Sequence, residues 1–187
     1  MIAGVVLGSS GVGRHGESLA EAVLGGRRLI DRAVFTLRAG GCDEVVALVQ
    51  SDHVKVDGAH TVVRTGPADG LGAALRAGLA ALHPDTEAVI FTVVGLPGIA
   101  PTEVKAAIGW YRNGSSIVLT RRGGERSHPV LVSRLWFRQL ADSFQGDQSG
   151  RMFFAKNYDH IDFIDYAEPM DDIDSPEALA DAERRFS

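Results

Sequence analysis

The stretch Gly4-Val-Val-Leu-Gly-Ser-Ser-Gly-Val-Gly-Arg14-His-Gly16 decides the fold of this 187-residue chain. It opens within a short apolar run, Ala3 to Leu7, whose β-branched residues predict a strand covered on both faces. Small residues follow, and the segment from about Glu17 to Leu24 is predicted to be a helix. A strand that leads through a glycine-rich turn into a helix can cradle a phosphate, because main-chain N–H groups approach the ligand closely.

Outward from this stretch, apolar runs alternate with helical patterns. Ser175-Pro176-Glu177 predicts the start of the last helix, with Ser175 as its N-cap. The alternation predicts βαβ units and one α/β domain over residues 1–187, a three-layer α/β/α sandwich with a Rossmann-like, mostly parallel sheet. Further strands are predicted at 45–49, 61–64, 88–94, 116–120, 128–132 and 160–165, and helices at 29–39, 70–82, 101–111, 135–142, 151–156 and 176–185.

Ligands of such sheets bind beyond the carboxyl ends of the strands. The connecting loops are therefore expected to lie on or near one rim of the sheet. These loops are at 8–16, 64–72, 94–98, 121–128 and 145–150. Arg121, Arg122 and Arg126 are expected to be solvated loop residues, with an acidic substrate as the alternative partner.

Composition excludes several classes of function. The net charge of −5 argues against a nucleic-acid partner held by a basic surface. Cys42 is the only cysteine, so neither an intrachain disulfide nor a cysteine-rich metal site can form. No apolar run reaches the roughly 18 residues of a membrane span, and the N-terminus lacks the basic region of a signal peptide. We therefore expect a cytoplasmic protein without a membrane partner.

Six short motifs occur in a characteristic order along the chain. With them, the chain resembles the MobA-like NTP transferase family, and most closely its molybdenum cofactor cytidylyltransferase branch. The resemblance covers essentially the whole chain. The motifs are Leu7-Gly-Ser-Ser-Gly-Val-Gly-Arg14-His-Gly16, Gly70-Leu-Gly-Ala-Ala-Leu75, Val94-Gly95-Leu96-Pro97, Ser127-His128-Pro129-Val130-Leu131, Gly146-Asp147-Gln148-Ser149-Gly150-Arg151 and Asp172-Ile173-Asp174-Ser175-Pro176-Glu177.

The resemblance implies a nucleotide-diphospho-sugar transferase-like fold and a role in molybdenum cofactor biosynthesis. The implied reaction transfers a nucleoside monophosphate, with CMP as the first candidate, from a nucleoside triphosphate to a phosphorylated small-molecule acceptor such as molybdopterin. Mg²⁺ is the implied cofactor, and a molybdoenzyme or a chaperone is the implied protein partner.

The resemblance also assigns roles to residues. Catalysis is assigned to Arg14 and Asp147, the metal to Asp172, and the acceptor to His128, Asp147 and Arg151. The implied nucleotide-binding residues are Leu7, Gly8, Ser9, Ser10, Gly11, Gly13, Arg14, Gly16, Gly70 and Gly95.

Two positions depart from the family pattern. The family's lysine falls at Leu19, and its metal-binding aspartate falls at Gly95. Nucleotidyl transfer must neutralise the charge that grows on the α-phosphate, and losing one such contact costs about 10²–10³ in rate. Restoring both groups by Leu19→Lys and Gly95→Asp is therefore expected to rescue turnover if only these losses silence the chain. A relocated metal site would draw on Asp69, Asp147, Asp172 or Asp174.

The same residues allow other readings. The glycine loop can be a tight strand-to-helix connection, and His128 can cap a strand. Asp147 and Arg151 can form a salt bridge within their loop, while Asp174 is assigned to the cap of the last helix. At the level of the whole chain, the alternatives are a catalytically degenerate nucleotide- or cofactor-binding protein, or a pocket repurposed for a nicotinamide dinucleotide.

Overall fold

A seven-stranded sheet organises the fold. The computed structural model describes residues 1–8, 18–63, 70–143 and 150–186, without the side chains of 70–74, 151 and 186. Its strands, in spatial order, are β5, β4, β1, β6, β8, β7 and β9. In chain order they are β1 (Ile2–Leu7), β4 (Glu44–Val49), β5 (His60–Val63), β6 (Ala88–Val93), β7 (Ile117–Arg122), β8 (Glu125–Ser133) and β9 (Ile161–Tyr166), with a small hairpin of β2 (Val23–Leu24) and β3 (Arg27–Arg28) outside the sheet.

The sheet is mostly parallel, as the alternation of strands and helices predicts. β1 pairs in parallel with β4 and β6, and β7 pairs in parallel with β9. Only β8 runs antiparallel to both of its neighbours among the described strands. The carboxyl ends of the parallel strands therefore meet at one edge, and the reversed β8 begins at that same edge.

Helices cover both faces of the sheet and complete the predicted three-layer sandwich. Val6 of β1 packs into a cluster with α1, α3 and α6, whereas Val5 and Leu7 pack into another with α2, α4 and α5. Every residue of β1 is buried, which confirms a strand covered on both faces. The helices are α1 (Leu29–Ala39), α2 (Gly70–Ala80), α3 (Pro101–Arg112), α4 (Phe137–Ser143), α5 (Arg151–Lys156) and α6 (Pro176–Phe186).

The predicted cap of the last helix is confirmed. Ser175 Oγ accepts a hydrogen bond from the Ala178 N–H at 3.2 Å, and Pro176 is the first helical residue. The cap assigned to Asp174 is therefore provided by its neighbour Ser175, and Asp174 lies two residues before the first residue of α6. None of the described helices is both long enough and apolar enough to cross a membrane.

The predicted helix at 17–24 is wrong over its described part. Residues Leu19–Glu21 form a single 3₁₀ turn, and Val23–Leu24 then pairs with Arg27–Arg28 in the small hairpin. The turn at Gly25-Gly26 reverses the chain before a helix can propagate. Arg32 of α1 fixes the hairpin by donating from Nε and Nη2 to the Leu24 carbonyl at 3.0 and 2.6 Å.

The predicted loop at 121–128 is instead a hairpin. Gly123 and Gly124 have φ values of +56° and +86°, so they form a two-residue turn whose twist matches the flanking strands. Strand β7 consequently extends to Arg122, and β8 starts at Glu125.

Arg121 and Arg122 are therefore strand residues with partners in the fold. Arg121 donates to the Asp165 carboxylate of β9 at 2.6 and 2.8 Å. Arg122 forms a largely buried ion pair with Glu103 of α3, and its guanidinium lies over the Tyr166 ring. These contacts place both side chains in the fold and leave Arg126, at the start of β8, as the arginine of this group that faces the rim.

Candidate functional site

The carboxyl ends of β1 and β6 form the centre of the candidate site. The Val94 N–H donates to the Leu7 carbonyl at 3.3 Å, so the two chains leave the sheet side by side. Gly8 and Gly95 follow directly. We call this edge the rim and define it by residues 7–8, 94–98, 123–128 and 170–174.

Gly8 is required by backbone packing. A Cβ placed on this residue would lie 2.8 Å from the Leu48 carbonyl oxygen at the end of β4. That distance is shorter than real Cβ contacts, so any side chain would force β1 and β4 apart. The backbone of Gly8 lies on the rim, and residues 9–16 of the glycine loop lie outside the described residues.

Gly95 is held against a segment that comes from the far end of the chain. The Ile173 N–H donates to the Gly95 carbonyl at 2.7 Å, and Ile173 is 1% exposed. A Cβ placed on Gly95 would lie 2.7 Å from Asp172 Oδ1 and 2.9 Å from the Ile173 carbonyl oxygen. The carboxylate of Asp172 therefore occupies the space into which a side chain at position 95 would extend.

The environment of Asp172 disfavours its charge unless a cation is near. Partial burial raises the pKa of this carboxyl, and the negative charge of Asp174 raises it further. Neighbouring Asp171 has its own cation, because Arg185 Nη1 lies 2.5 Å from its Oδ2. Asp171 is therefore neutralised by an arginine, whereas the pKa of Asp172 is raised by burial and by a second carboxylate.

The described residues fit a divalent cation that arrives with its substrate. They contain no cluster of three metal-ligating side chains. Mg²⁺ is commonly held by one or two carboxylates together with substrate phosphates and water. Asp172 could supply such a carboxylate at the rim, whereas Gly95 contributes no oxygen from a side chain.

Leu19 belongs to the core. Its side chain is 0% exposed and packs in the cluster that includes α1 and α3. A lysine at this position would place its charge within an apolar cluster. The expected rescue of turnover by Leu19→Lys therefore carries a cost in stability and remains a prediction.

His128 carries the polar chemistry on the other side of the rim. Strands β6 and β8 pair up to Phe91↔Val130, and His128 lies two residues before Val130 on β8. The Nδ1 atom of its ring lies 3.1 Å from the Phe91 carbonyl oxygen. Burial lowers the pKa of His128, so the ring is neutral at pH 7, with hydrogen on Nδ1 and an acceptor lone pair on Nε2.

A cavity of about 580 Å³ opens beside His128. Leu7 and Val93, the last residues of β1 and β6, contribute to its wall, so the cavity adjoins the rim where Asp172 lies. Phe91, Leu119 and Phe154 form much of the remainder. Its volume lies within the range of small-molecule sites in proteins.

Several predicted site residues lie outside the described part of the chain. Gly70 is described as the first residue of α2, and Arg151 as the first residue of α5, in the latter case without its side chain. The predicted residues outside the description are Ser9, Ser10, Gly11, Gly13, Arg14, Gly16, Asp69 and Asp147.

Sequence reasoning missed the apolar wall of the cavity. Leu119 and Phe154 belong to a predicted strand and a predicted helix, because an apolar side chain facing a cavity follows the same periodicity as one in a core. It also missed the Phe91 carbonyl as the partner of His128, since no local pattern signals a contact between residues 37 positions apart.

The close approach at Gly95 gives a measurable prediction. Gly95→Ala is expected to lower the free energy of unfolding by about 1–3 kcal/mol, because the added methyl group collides with Asp172 and with the Ile173 backbone. Urea denaturation followed by circular dichroism measures the change.

Gly109→Ala in α3 is the matched control, because nothing lies within 4 Å of its added Cβ. The control should be neutral or stabilising by up to about 1 kcal/mol. Equal stabilities of the two variants would contradict the placement of Asp172 against Gly95. If the collision holds, Gly95→Asp adds both a clash and a like charge, so the expected rescue by that substitution fails.

Sequence comparisons relate this chain to known proteins. A family model described as the MobA-like NTP transferase domain matches residues 4–161. Nicotine blue oxidoreductase of Paenarthrobacter nicotinovorans is 26% identical over 168 residues, which are 82% of each chain.

Solved structures share the fold at low identity. Rv0371c from Mycobacterium tuberculosis H37Rv superimposes with a TM-score of 0.80 and 22% identity, over 98% of this chain and 97% of that one. The structure of the same protein complexed with manganese has a TM-score of 0.77 and 20% identity, over 98% of both chains. CMP:2-keto-3-deoxy-manno-octonic acid synthetase complexed with CTP has a TM-score of 0.75 and 10% identity, over 99% of this chain and 97% of that one. These neighbours confirm the nucleotide-diphospho-sugar transferase-like fold.

Proposed function

The chain belongs to the MobA-like NTP transferase family, and from this premise we propose that it transfers a nucleoside monophosphate from a nucleoside triphosphate to a phosphorylated acceptor. CMP is the first candidate for the transferred group. Pyrophosphate is the other product. The observation that carries the proposal is the position of the Asp172 carboxylate, whose Oδ1 lies 2.7 Å from the Cβ position of Gly95. This contact supports the proposal that an acidic group from position 172 takes over the role of the aspartate missing at position 95.

The reaction assigns a task to each part of the rim. An oxygen of the acceptor phosphate attacks the α-phosphorus, a new P–O bond forms, and the bond to the departing pyrophosphate breaks. A divalent cation, when bound, supplies positive charge to the triphosphate. Asp172 would hold that cation, with Arg14 and the amides of the glycine loop assigned to the triphosphate.

We place the acceptor of the proposed reaction beside β8. His128 presents a neutral ring at the cavity, and its Nε2 can accept a hydrogen bond from the acceptor. Asp147 and Arg151 are assigned to the acceptor by their place in the family motif. Molybdopterin is the acceptor to test first, with a molybdoenzyme or a chaperone as the protein that would receive the product, and both substrates would be drawn from the cytoplasm.

Pyrophosphate release tests the proposal. The chain is incubated with molybdopterin and each of the four ribonucleoside triphosphates, in Mg²⁺ and in Mn²⁺. We expect release that requires acceptor and metal and is fastest with CTP. No release with any triphosphate, at protein concentrations at which a family member reacts, would exclude the transfer.

A second candidate is a nicotinamide dinucleotide site on the same fold. Leu19 in the core and Gly95 without a carboxylate both remove charge that nucleotidyl transfer uses, whereas dinucleotide binding does not require either group. The similarity to nicotine blue oxidoreductase favours the same alternative. Titration with NADH and NADPH, followed by the reduced nicotinamide's fluorescence, tests it. Saturable binding together with absent pyrophosphate release would replace the first proposal by this one.

A further inference from the structure

We propose that the buried ion pair of Glu103 and Arg122 positions the two sides of the rim relative to each other, and so sets the spacing on which transfer depends. One side is Gly95 with the Asp172 carboxylate, and the other is His128 near the start of β8. The inference rests on the proposed function, because it names two positioning residues for that reaction. Neither residue of the pair is assigned a contact with a substrate.

Three segments of the rim are anchored next to this pair. Arg122 is the last residue of β7 and directly precedes the turn into β8. Glu103 lies in the first turn of α3, the helix that follows the segment 94–98. Tyr166 is the last residue of β9, from which the chain continues to the segment 170–174. The pair therefore lies where all three segments leave the rigid elements of the fold.

Contacts among these residues join the three segments. The Arg122 guanidinium pairs with the Glu103 carboxylate and lies over the Tyr166 ring, 4.6 Å from the ring centroid. The other carboxylate oxygen of Glu103, Oε1, accepts a hydrogen bond from the Ala100 N–H at 3.3 Å. The Gly123 N–H donates to the Tyr166 carbonyl at 3.1 Å. One set of contacts thus fixes where each segment starts.

Stability alone is a weak explanation for an ion pair at this place. The side chains of Glu103 and Arg122 are only 11% and 9% exposed, so both charges have lost most of their water. Arg122 Nε is buried and finds no hydrogen-bond partner among the described residues. The attraction within a buried pair often fails to repay this desolvation, and apolar side chains of similar volume can stabilise a fold equally well or better. A defined geometry is what the charged pair adds.

The same segments carry the chemistry of the rim at their other ends. The Ile173 N–H donates to the Gly95 carbonyl at 2.7 Å, so the segments that contain these two residues are held together beside Asp172. His128 lies on the strand that begins after the Arg122 turn. Group transfer is sensitive to such spacing, because a misplacement of about 1 Å can cost about 10² in rate.

A double variant separates positioning from stability. Arg122→Met with Glu103→Leu replaces the pair by apolar side chains of similar volume, and it should melt within about 3 °C of the unchanged chain. Either single substitution leaves one buried charge without its partner and should lower the melting temperature by about 10 °C. The double variant should nevertheless release pyrophosphate at least about tenfold more slowly, with the KM for the triphosphate changed less than about threefold.

Nuclear magnetic resonance of the ¹⁵N-labelled chain gives a readout that does not depend on turnover. The Gly95 amide reports one side of the rim, and the ring nitrogens of His128 report the other. We expect both signals to shift in the double variant, although its melting temperature is restored. A pair that served stability alone would leave both signals in place once stability is recovered.

The neighbouring ion pair of Arg121 and Asp165 supplies the matched control. Arg121 lies one residue earlier on β7, and its guanidinium likewise lies over an aromatic ring, that of Phe163. Its pair is more exposed to solvent than that of Arg122. Arg121→Met with Asp165→Asn should leave the rate of release within about twofold and the signals of Gly95 and His128 unshifted.

The outcomes separate this inference from the proposed function. Unshifted signals or an unchanged rate in the stable double variant would overturn the positioning role. A double variant as unstable as the single ones, or a control with equal effects, would overturn it as well. If the unchanged chain releases no pyrophosphate, the transfer is excluded, and the resonance signals still decide whether the pair sets the spacing of the rim.

Discussion

Leu19→Lys is expected to lower the free energy of unfolding by about 4 kcal/mol or more. The side chain is 0% exposed and packs in the cluster of apolar residues below α1 and α3. The substitution removes a buried leucine and places an ammonium group where no water can solvate it. The lysine must then either stay neutral with a strongly lowered pKa or open the core. Because small domains are stable by only about 5–15 kcal/mol, the loss is a large part of the total.

Leu135→Lys is the control for this change. The same residue type is replaced, but Leu135 is 86% exposed in the 3₁₀ turn before α4. Its effect should remain within about 0.5 kcal/mol. Urea denaturation of the three proteins gives the comparison. A Leu19→Lys protein as stable as the unchanged chain, and faster in pyrophosphate release, would show that residue 19 faces the substrate and that our placement of it is wrong.

Asp172→Asn is expected to reduce the rate of metal-dependent pyrophosphate release by about 10²–10³. Asparagine has the same shape, so the contact with Gly95 is kept while the negative charge is lost. An amide oxygen is a weaker ligand than a carboxylate for a hard cation, which weakens the hold on the cation that accompanies the triphosphate. Initial rates in Mg²⁺ and in Mn²⁺ measure the change.

The stability of the Asp172→Asn protein distinguishes loss of a ligand from unfolding. The pKa of Asp172 is raised in the folded chain, so its ionisation costs stability at pH values above that raised pKa. Asparagine removes this cost. The variant should therefore melt at the same temperature as the unchanged chain at pH 7, or slightly higher.

Asp171→Asn supplies the matched comparison. Asp171 is adjacent, but its carboxylate is paired with Arg185 on the surface. Breaking an exposed pair of this kind changes stability by less than about 1 kcal/mol and should leave the rate within about twofold. Equal losses of rate in the two variants would indicate a general effect of negative charge near α6 and would remove Asp172 from the site.

The strands and most helices of the fold are predictable from the sequence. The strands at 2–7, 44–49 and 88–93 are largely apolar runs, as a sheet covered on both faces requires, and their alternation with helices predicts a mostly parallel sheet. Ser175 before Pro176 correctly predicts the start of α6, because an N-cap hydrogen bond joins residues that are close in sequence.

The errors arise where tertiary contacts override a local pattern. The segment 18–24 has helical composition, but Gly25-Gly26 turns it back as a hairpin that Arg32 secures from α1. The polar stretch 121–128 looks like a loop, yet Gly123 and Gly124 convert it into paired strands with partners for both arginines.

The chemistry of the rim depends on contacts that are distant in sequence. Gly95 and Asp172 are 77 positions apart by residue number, and no local pattern shows that the carboxylate of one lies at the side-chain position of the other. Sequence alone gives Gly95 as a lost ligand. The structure adds that the Asp172 carboxylate lies against this position, and the proposed metal site rests on that contact.

Calorimetric titration of the chain with CTP in the presence of Mn²⁺ tests the central claim, that the rim is a nucleoside triphosphate site with Asp172 at its cation. We predict saturable binding of one CTP per chain with a dissociation constant below about 1 mM. Binding should weaken at least about tenfold when Mn²⁺ is withdrawn or when Asp172→Asn is used. Absence of saturable binding, or binding that is indifferent to both the metal and Asp172, would contradict the account.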